Sequence, residues 1–223
     1  MKQKTFILFF GPPGSGKGTQ ADMLGERIHF PVISPGELLR HEQEKNTKIG
    51  RDIDNKMSGG NLVPDSFVEK IISKRLAKKD AKNGFIFDGY PRRESQLGYL
   101  KNKFEKISSD KDIILAFYIH ISDCSVKARL GGRRVCDCGA SYHLKFNPPL
   151  KKGRCDLCEK KLSRRKDDDP RVVAKRLKDF HSGHKPLLEY FKKHYKLINI
   201  NGEKSIKEVR KEIWKKMKSE WVK

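Results

Sequence analysis

The chain alternates between short unbroken apolar runs and longer segments in which apolar residues return every three or four positions. Five runs read as buried strands: Thr5-Phe6-Ile7-Leu8-Phe9-Phe10, Pro31-Val32-Ile33-Ser34, Gly84-Phe85-Ile86-Phe87-Asp88, Ile113-Ile114-Leu115-Ala116-Phe117-Tyr118-Ile119 and Leu197-Ile198-Asn199-Ile200. Between them the spacing predicts helices over 17–29, from Glu37 onward, over 48–57 and 65–78, after the fourth strand to Gly131, and over 170–194. Ile206, Val209, Ile213 and Met217 mark an amphipathic terminal helix. Ser34 can cap the helix that Pro35 opens, and Gly59-Gly60 ends the one over 48–57. Strands alternating with helices predict an α/β three-layer fold, a parallel five-stranded sheet with helices on both faces. Ligands of such sheets bind beyond the carboxyl ends of the strands.

Two strand ends carry chemistry. The first strand runs into Gly11-Pro12-Pro13-Gly14-Ser15-Gly16-Lys17-Gly18-Thr19 and then a helix. Glycines let backbone N–H groups approach phosphate oxygens, the helix N-terminus adds its positive end, and Lys17 reaches the terminal phosphates. A glycine turn that binds nothing is the bland alternative, but the strand before it and the helix after it argue for a phosphate loop. The third strand ends at Asp88-Gly89-Tyr90-Pro91-Arg92, so an acid lies at the same edge of the sheet. Its bland reading is a strand-end cap.

Composition changes this picture little. At 223 residues and 36% hydrophobic content the chain is long enough for one core with small insertions. The net charge of +22 would suit nucleic acid, yet Lys74, Lys78, Lys79 and Lys82, or Lys192, Lys193 and Lys196, are spread over helix after helix. That spread reads as solvated faces, and no dedicated nucleic-acid partner is expected; the field would still steer polyphosphates inward. There is no apolar stretch of about 18 residues and no signal-peptide pattern at Met1-Lys2-Gln3-Lys4-Thr5, so a cytoplasmic protein without a membrane partner is expected.

Cys136, Cys138, Cys155 and Cys158 form two close pairs, and Cys124 stands apart as a buried or idle thiol. Four thiolates in two pairs suit tetrahedral Zn2+, with free or oxidised thiols as the alternative. The segment between the pairs has too few apolar residues to bury a core, so a structural metal staple has a purpose. Cys136-Asp137-Cys138 is one residue shorter than the usual Cys-x-x-Cys, which tightens the chelate turn. His143 is close enough to substitute as a ligand but reads as a surface or strand residue.

Taken in order, the loop at 11–19, Ser34-Pro35-Gly36-Glu37-Leu38-Leu39-Arg40, Asp88-Gly89-Tyr90-Pro91-Arg92, Gly132-Arg133-Arg134, the cysteine insert and Arg165-Lys166-Asp167-Asp168 resemble the nucleoside monophosphate kinases, and most closely adenylate kinases of the long-lid, zinc-bearing type. A generic phosphate loop places Ser or Thr directly after its lysine; here Gly18 intervenes before Thr19, as in these kinases. The resemblance implies reversible phosphoryl transfer from ATP to AMP giving two ADP, in a monomer, with Mg2+ on the ATP and structural Zn2+ in the lid. It implies a core of 1–33, 64–131 and 170–223, a helical NMP-binding segment of 34–63 and a lid of 132–169. On the donor side it points to Gly14, Ser15, Gly16, Lys17, Gly18, Thr19, Arg129, Arg133, Ser141, Tyr142, Gly202 and Lys204. On the acceptor side it points to Pro35, Arg40, Asn61, Leu62, Val63, Gly89, Tyr90, Pro91, Arg92, Gln96, Arg165 and Arg176. Lys17, Asp88, Arg92, Arg133, Arg165 and Arg176 would carry the transfer, and Asp88 would hold the magnesium through its waters. Gln96 would read the acceptor adenine.

One departure bears on selectivity. The family places Thr where this chain has Pro35, which offers no side-chain hydrogen bond. CMP or UMP as acceptor is therefore the near alternative. A zinc-ribbon nucleic-acid-binding protein would need neither Lys17 nor Asp88, and an ATPase that hydrolyses ATP alone is the third reading.

Overall fold

The computed structural model describes residues 3–45, 47–58 and 63–221. Its centre is a parallel sheet in the order β2-β3-β1-β4-β7, formed by β1 (Thr5–Phe10), β2 (Val32–Ile33), β3 (Gly84–Asp88), β4 (Ile113–His120) and β7 (Lys196–Asn201). β1 sits mid-sheet, which explains why all six of its residues are buried and why it reads as an unbroken apolar run.

Alternate side chains of β1 separate two cores. Phe6, Leu8 and Phe10 join the cluster that holds Phe85, Phe87, Ile72 and Phe191. Ile7 and Phe9 point the other way, to Ala21, Leu24, Ile213 and Met217. The first layer is supplied by α2 (Pro35–Glu44), α3 (Lys48–Ser58), α4 (Asp65–Leu76), α5 (Ser95–Ile107) and α7 (Pro170–His194). The second comes from α1 (Lys17–Ile28) and α8 (Ile206–Trp221). A smaller cluster of Val126, Leu130, Val173 and Leu177 packs α6 (Asp123–Gly132) on α7. Among the described residues no helix is long and apolar enough to cross a membrane.

Beyond α6 the chain leaves the sheet. β5 (Arg133–Val135) and β6 (Ser141–His143) pair antiparallel, and Cys136, Tyr142, Cys155 and Leu162 form a separate small core beneath them. A 3-10 turn over Lys166–Asp168 then leads to Asp169, whose carboxylate accepts from Arg171 N at 2.9 Å and caps α7, with Pro170 in the first turn.

Several expectations need correction. Ser34 occupies the N-cap position of α2, but its hydroxyl makes no cap bond and donates instead to Asp88 Oδ2 at 3.1 Å. Cys124 is exposed in the first turn of α6 and is not buried. The helix α5 was not anticipated, although Gln96, Leu100 and Phe104 lie buried at four-residue spacing. The break expected at Gly59-Gly60, like Asn61 and Leu62, lies outside the described residues.

Tyr90 is 1% exposed, its ring packs against Phe87, and its hydroxyl has no hydrogen-bond partner among the described residues. A buried unpaired hydroxyl is destabilising. Tyr90→Phe is therefore expected to raise the Tm by about 2–4 °C in thermal melts followed by circular dichroism. A lower Tm would show that the hydroxyl has a partner.

Candidate active site

The register Phe9↔Asp88 between β1 and β3 sets the loop of 11–16 and Asp88 side by side, tied by Gly89 N donating to Phe9 O at 2.9 Å. Gly16, just before α1, has φ +90°, a left-handed conformation that favours glycine and lets the chain turn from loop into helix. Lys17 Nζ donates to Pro12 O at 3.1 Å, so the ammonium is folded back over the loop. Burial pulls its pKa down to about 8; Asp88 opposes that shift, while Arg92, Arg176 and Arg133 add to it. Gly18 has a direct reason to be glycine: a Cβ there would stand 3.2 Å from Asp88 Oδ2.

The loop forms one wall of a cleft of about 800 Å³. Gly14, Ser15, Gly16, Lys17, Gly18 and Thr19 all line it. From the other walls Arg40, Arg92, Arg129, Arg133, Arg165 and Arg176 face the same space. Arg40 and Arg92 converge over Gly36, where an added Cβ would lie 3.3 Å from a guanidinium nitrogen of each.

So many cations in one cleft need counter-charges, and three carboxylates supply them. Glu37 bridges Arg40 and Arg165, its Oε1 lying 2.7 Å from Arg165 Nη2. Burial would raise the Glu37 pKa, but the hydrogen bonds and charges of those two arginines win and hold it at about 2. Asp168, fully buried, accepts a two-pronged contact from Arg133 with Nε at 2.8 Å. Arg176 pairs with Asp167 at 2.9 Å; burial still lowers its pKa to about 10. Between Arg164 and Arg165, it is Arg165 that lines the cleft, while Arg164 Nη2 donates to Asp168 O at 2.6 Å.

Toward α8 the cleft is lined by Arg129, Ser141, Tyr142, Gly202 and Lys204. Arg129 Nη2 donates to Gly202 O at 2.7 Å and spans the wall, and Lys204 pairs with Glu212 at 2.8 Å. At the opposite end Pro35, Val63, Gly89, Tyr90 and Gln96 line it. Pro91, buried behind Tyr90, is not part of the lining.

Sequence reading passed over the counter-charges. Glu37, Asp167 and Asp168 sit inside the motifs without a signature of their own; the three-residue spacing of Glu37 and Arg40 on α2 is the available signal. Asp65 was missed too. It accepts from Gln96 Nε2, Arg93 and Ser95 at once. Phe146 also lines the cleft beside His143.

The four cysteine sulfurs of the small hairpin unit all lie within 4.8 Å of one another. A tetrahedral zinc with Zn–S bonds of about 2.3 Å needs sulfurs roughly 3.8 Å apart, so the cluster is compatible with zinc. The short Cys136–Cys138 pair closes through a turn in which Gly139 N donates to Cys136 O at 3.0 Å, with Gly139 at φ +95°. Leu157 N donates to Cys155 Sγ at 3.4 Å, a backbone bond that suits a thiolate. His143 is not part of the cluster; its Nδ1 accepts from Lys145 N and Phe146 N.

A phosphate loop at the carboxyl edge of a five-stranded parallel sheet, facing a second group of arginines across one cleft, defines a phosphotransferase of the nucleoside monophosphate kinase class. The comparisons agree: the family profile described as Adenylate kinase matches residues 9–196. The chain is 40% identical over 209 residues to an adenylate kinase of Methanothrix thermoacetophila, covering 94% of this chain and 96% of that one. It is 39% identical over 210 residues to an adenylate kinase of Caldicellulosiruptor bescii, covering 94% and 97% respectively. With one of Clostridium botulinum it shares 39% over 204 residues, covering 91% and 94%. The chain belongs to the adenylate kinase family.

The depressed Lys17 pKa has a consequence for stability. The folded value of about 8 lies below the ordinary 10.5, so the folded state disfavours the charged lysine. That penalty is full below pH 8 and is relieved as pH rises toward 10.5. Lys17→Met is expected to raise the Tm of the ligand-free protein at pH 7 by about 2–4 °C, with a gain that shrinks toward pH 10. A loss of Tm at pH 7, or a gain independent of pH, would contradict it.

Proposed function

We propose that the cleft carries out reversible transfer of the terminal phosphoryl group of ATP to AMP, giving two ADP. The observation that carries this reading is the convergence of two cation groups on one space, Lys17 with its loop on one side and Arg40 with Arg92 on the other. One polyanion needs one such group; two groups fit a donor and an acceptor.

Phosphoryl transfer asks the protein for in-line positioning and for charge around the moving group, with little covalent work. The loop N–H groups and Lys17 bind the donor phosphates, and Thr19 offers its hydroxyl beside them. Arg40 and Arg92 grip the acceptor phosphate, which is already anionic, so no general base is required. Arg133, Arg165 and Arg176 stand between the two and meet the charge that builds on the transferred group. Their planar forks suit phosphate oxygens, and their carboxylate partners hold them in place before a ligand arrives.

Asp88 suits the magnesium that accompanies ATP. Its Oδ1 is buried with no partner among the described residues, its Oδ2 accepts from Ser34, and Gly18 leaves room beside it. Bound there, magnesium would supply positive charge beside the donor phosphates. Arg129 with Gly202 and Lys204 forms the donor-base end, where Ser141 and Tyr142 close from the lid. Pro35, Val63, Gly89, Tyr90 and Gln96 form the acceptor-base end.

The division into a core (1–33, 64–131, 170–223), an acceptor segment (34–63) and a lid (132–169) belongs to the same reading. Closing both segments over the cleft would keep water from the donor phosphate. Cys136, Cys138, Cys155 and Cys158 would hold Zn2+ as a staple for the small core of the lid. The same reading takes a monomer in the cytoplasm, with ATP and AMP as its partners, as the family resemblance implies. CMP remains the second acceptor to consider, because Pro35 offers no hydrogen bond to the base.

The test is a coupled assay of ADP formation from ATP and AMP, with CMP, UMP and GMP as comparators. AMP is expected to be the preferred acceptor, and Arg92→Ala to lower kcat/KM by about 10²–10³-fold with an unchanged fold. ATP hydrolysis that ignores AMP would overturn the reading. For the lid, elemental analysis should find one zinc per chain, lost in Cys155→Ser, with the lid then melting before the core. Metal-free protein of unchanged stability would rule the staple out.

A further inference from the structure

Gln96 is 4% exposed, lines the acceptor end of the cleft, and has both ends of its amide engaged by the protein. Its Oε1 accepts from Arg92 N at 2.8 Å, and its Nε2 donates to Asp65 Oδ1 at 2.7 Å. These partners are one-way. A backbone N–H only donates and an ionised carboxylate only accepts, so a flipped amide would set donor against donor and acceptor against acceptor. Asp65 stays ionised: burial opposes this, but bonds from Ser95, Gln96 and Arg93 outweigh it and lower its pKa.

We propose that Asp65, which opens α4, is a positioning residue for acceptor choice: it locks the Gln96 amide in the orientation that pairs with amino bases and rejects oxo bases. The proposal rests on the phosphotransfer reading above. With one bond used at each end, Gln96 keeps one free N–H and one free lone pair. Adenine presents an amino donor beside a ring-nitrogen acceptor, which matches that pair. Hypoxanthine and guanine present a carbonyl acceptor beside an N–H donor, the reverse pattern. Rejection then comes from unpaired buried groups on both partners, a stronger discriminator than shape. This locking also assigns a use to a device that Pro35 makes more necessary, since α2 offers the base no side-chain hydrogen bond at that position. Cytosine shows the same pattern as adenine, so the lock sorts amino from oxo bases and leaves purine against pyrimidine to the size of the pocket.

IMP is the cleanest comparator, because it differs from AMP only in those two ring-edge groups. An asparagine at position 65 can face Gln96 with either its oxygen or its nitrogen, so it releases the lock at one end. Asp65→Asn is expected to narrow the AMP-to-IMP ratio of kcat/KM by roughly tenfold, through AMP and IMP KM values that move in opposite directions, with the KM for ATP unchanged. Arg93→Gln removes another partner of Asp65 and spares Gln96; it should leave the ratio as it is. A second measurement needs no variant at position 65. In NMR spectra of the unaltered enzyme, AMP should shift one of the two Gln96 Nε2 protons and leave the Asp65-bound one in place. An unchanged ratio in a folded Asp65→Asn protein, or both protons moving together, overturns the lock while leaving phosphotransfer intact. Absence of any AMP turnover in the unaltered enzyme would overturn both.

Discussion

The arrangement depends on like charge held together at close quarters. Lys17 and the arginines of the cleft repel one another, and partial burial removes the water that would screen them, as the lowered pKa values of Lys17 and Arg176 record. Glu37, Asp167 and Asp168 make the assembly tolerable by pairing with Arg40, Arg165, Arg176 and Arg133. None of them is bonded to Lys17, which folds back on a carbonyl of its own loop. A polyanion entering the cleft would relieve what the fold leaves uncompensated. Ligand affinity is in this sense prepared by an electrostatic cost in the empty protein.

The sheet decides where that charge collects. Because β1 and β3 are parallel neighbours, the loop after one and the acid that ends the other emerge at the same edge. The closeness of Gly18 to Asp88 follows, and with it the insertion of glycine between Lys17 and Thr19. The alternation of Phe6, Leu8 and Phe10 against Ile7 and Phe9 in turn fixes a helical layer on each side, one bringing α2 with Arg40 and the other α1 with Lys17. Catalytic geometry here is a consequence of strand register.

The strands, the phosphate loop and the cysteine pairs were legible in the sequence because each is specified locally, by an apolar run, by glycine spacing or by paired thiols. Among the residues that the sequence pointed to, Pro91 is not in the lining of the cleft, and Asn61 and Leu62 lie outside the described residues. What escaped was set by contacts distant in sequence. Ser34 looked like a cap until Asp88, brought in by β3, took its hydroxyl. The pairing of Glu37 with Arg165 joins residues 128 positions apart, and that of Asp65 with Gln96 joins two helices. α5 is a different case: Gln96, Leu100 and Phe104 keep the four-residue period of a helix, so its signal was present in the sequence and went unread.

The central claim is that one cleft has two anion-binding halves that differ in chemistry. Calorimetric titration of the protein with ADP, with and without magnesium, tests it most directly. Two ADP should bind per chain, and Lys17→Met should weaken one of them while sparing the other. A single ADP per chain, or equal weakening of both sites, would contradict the account.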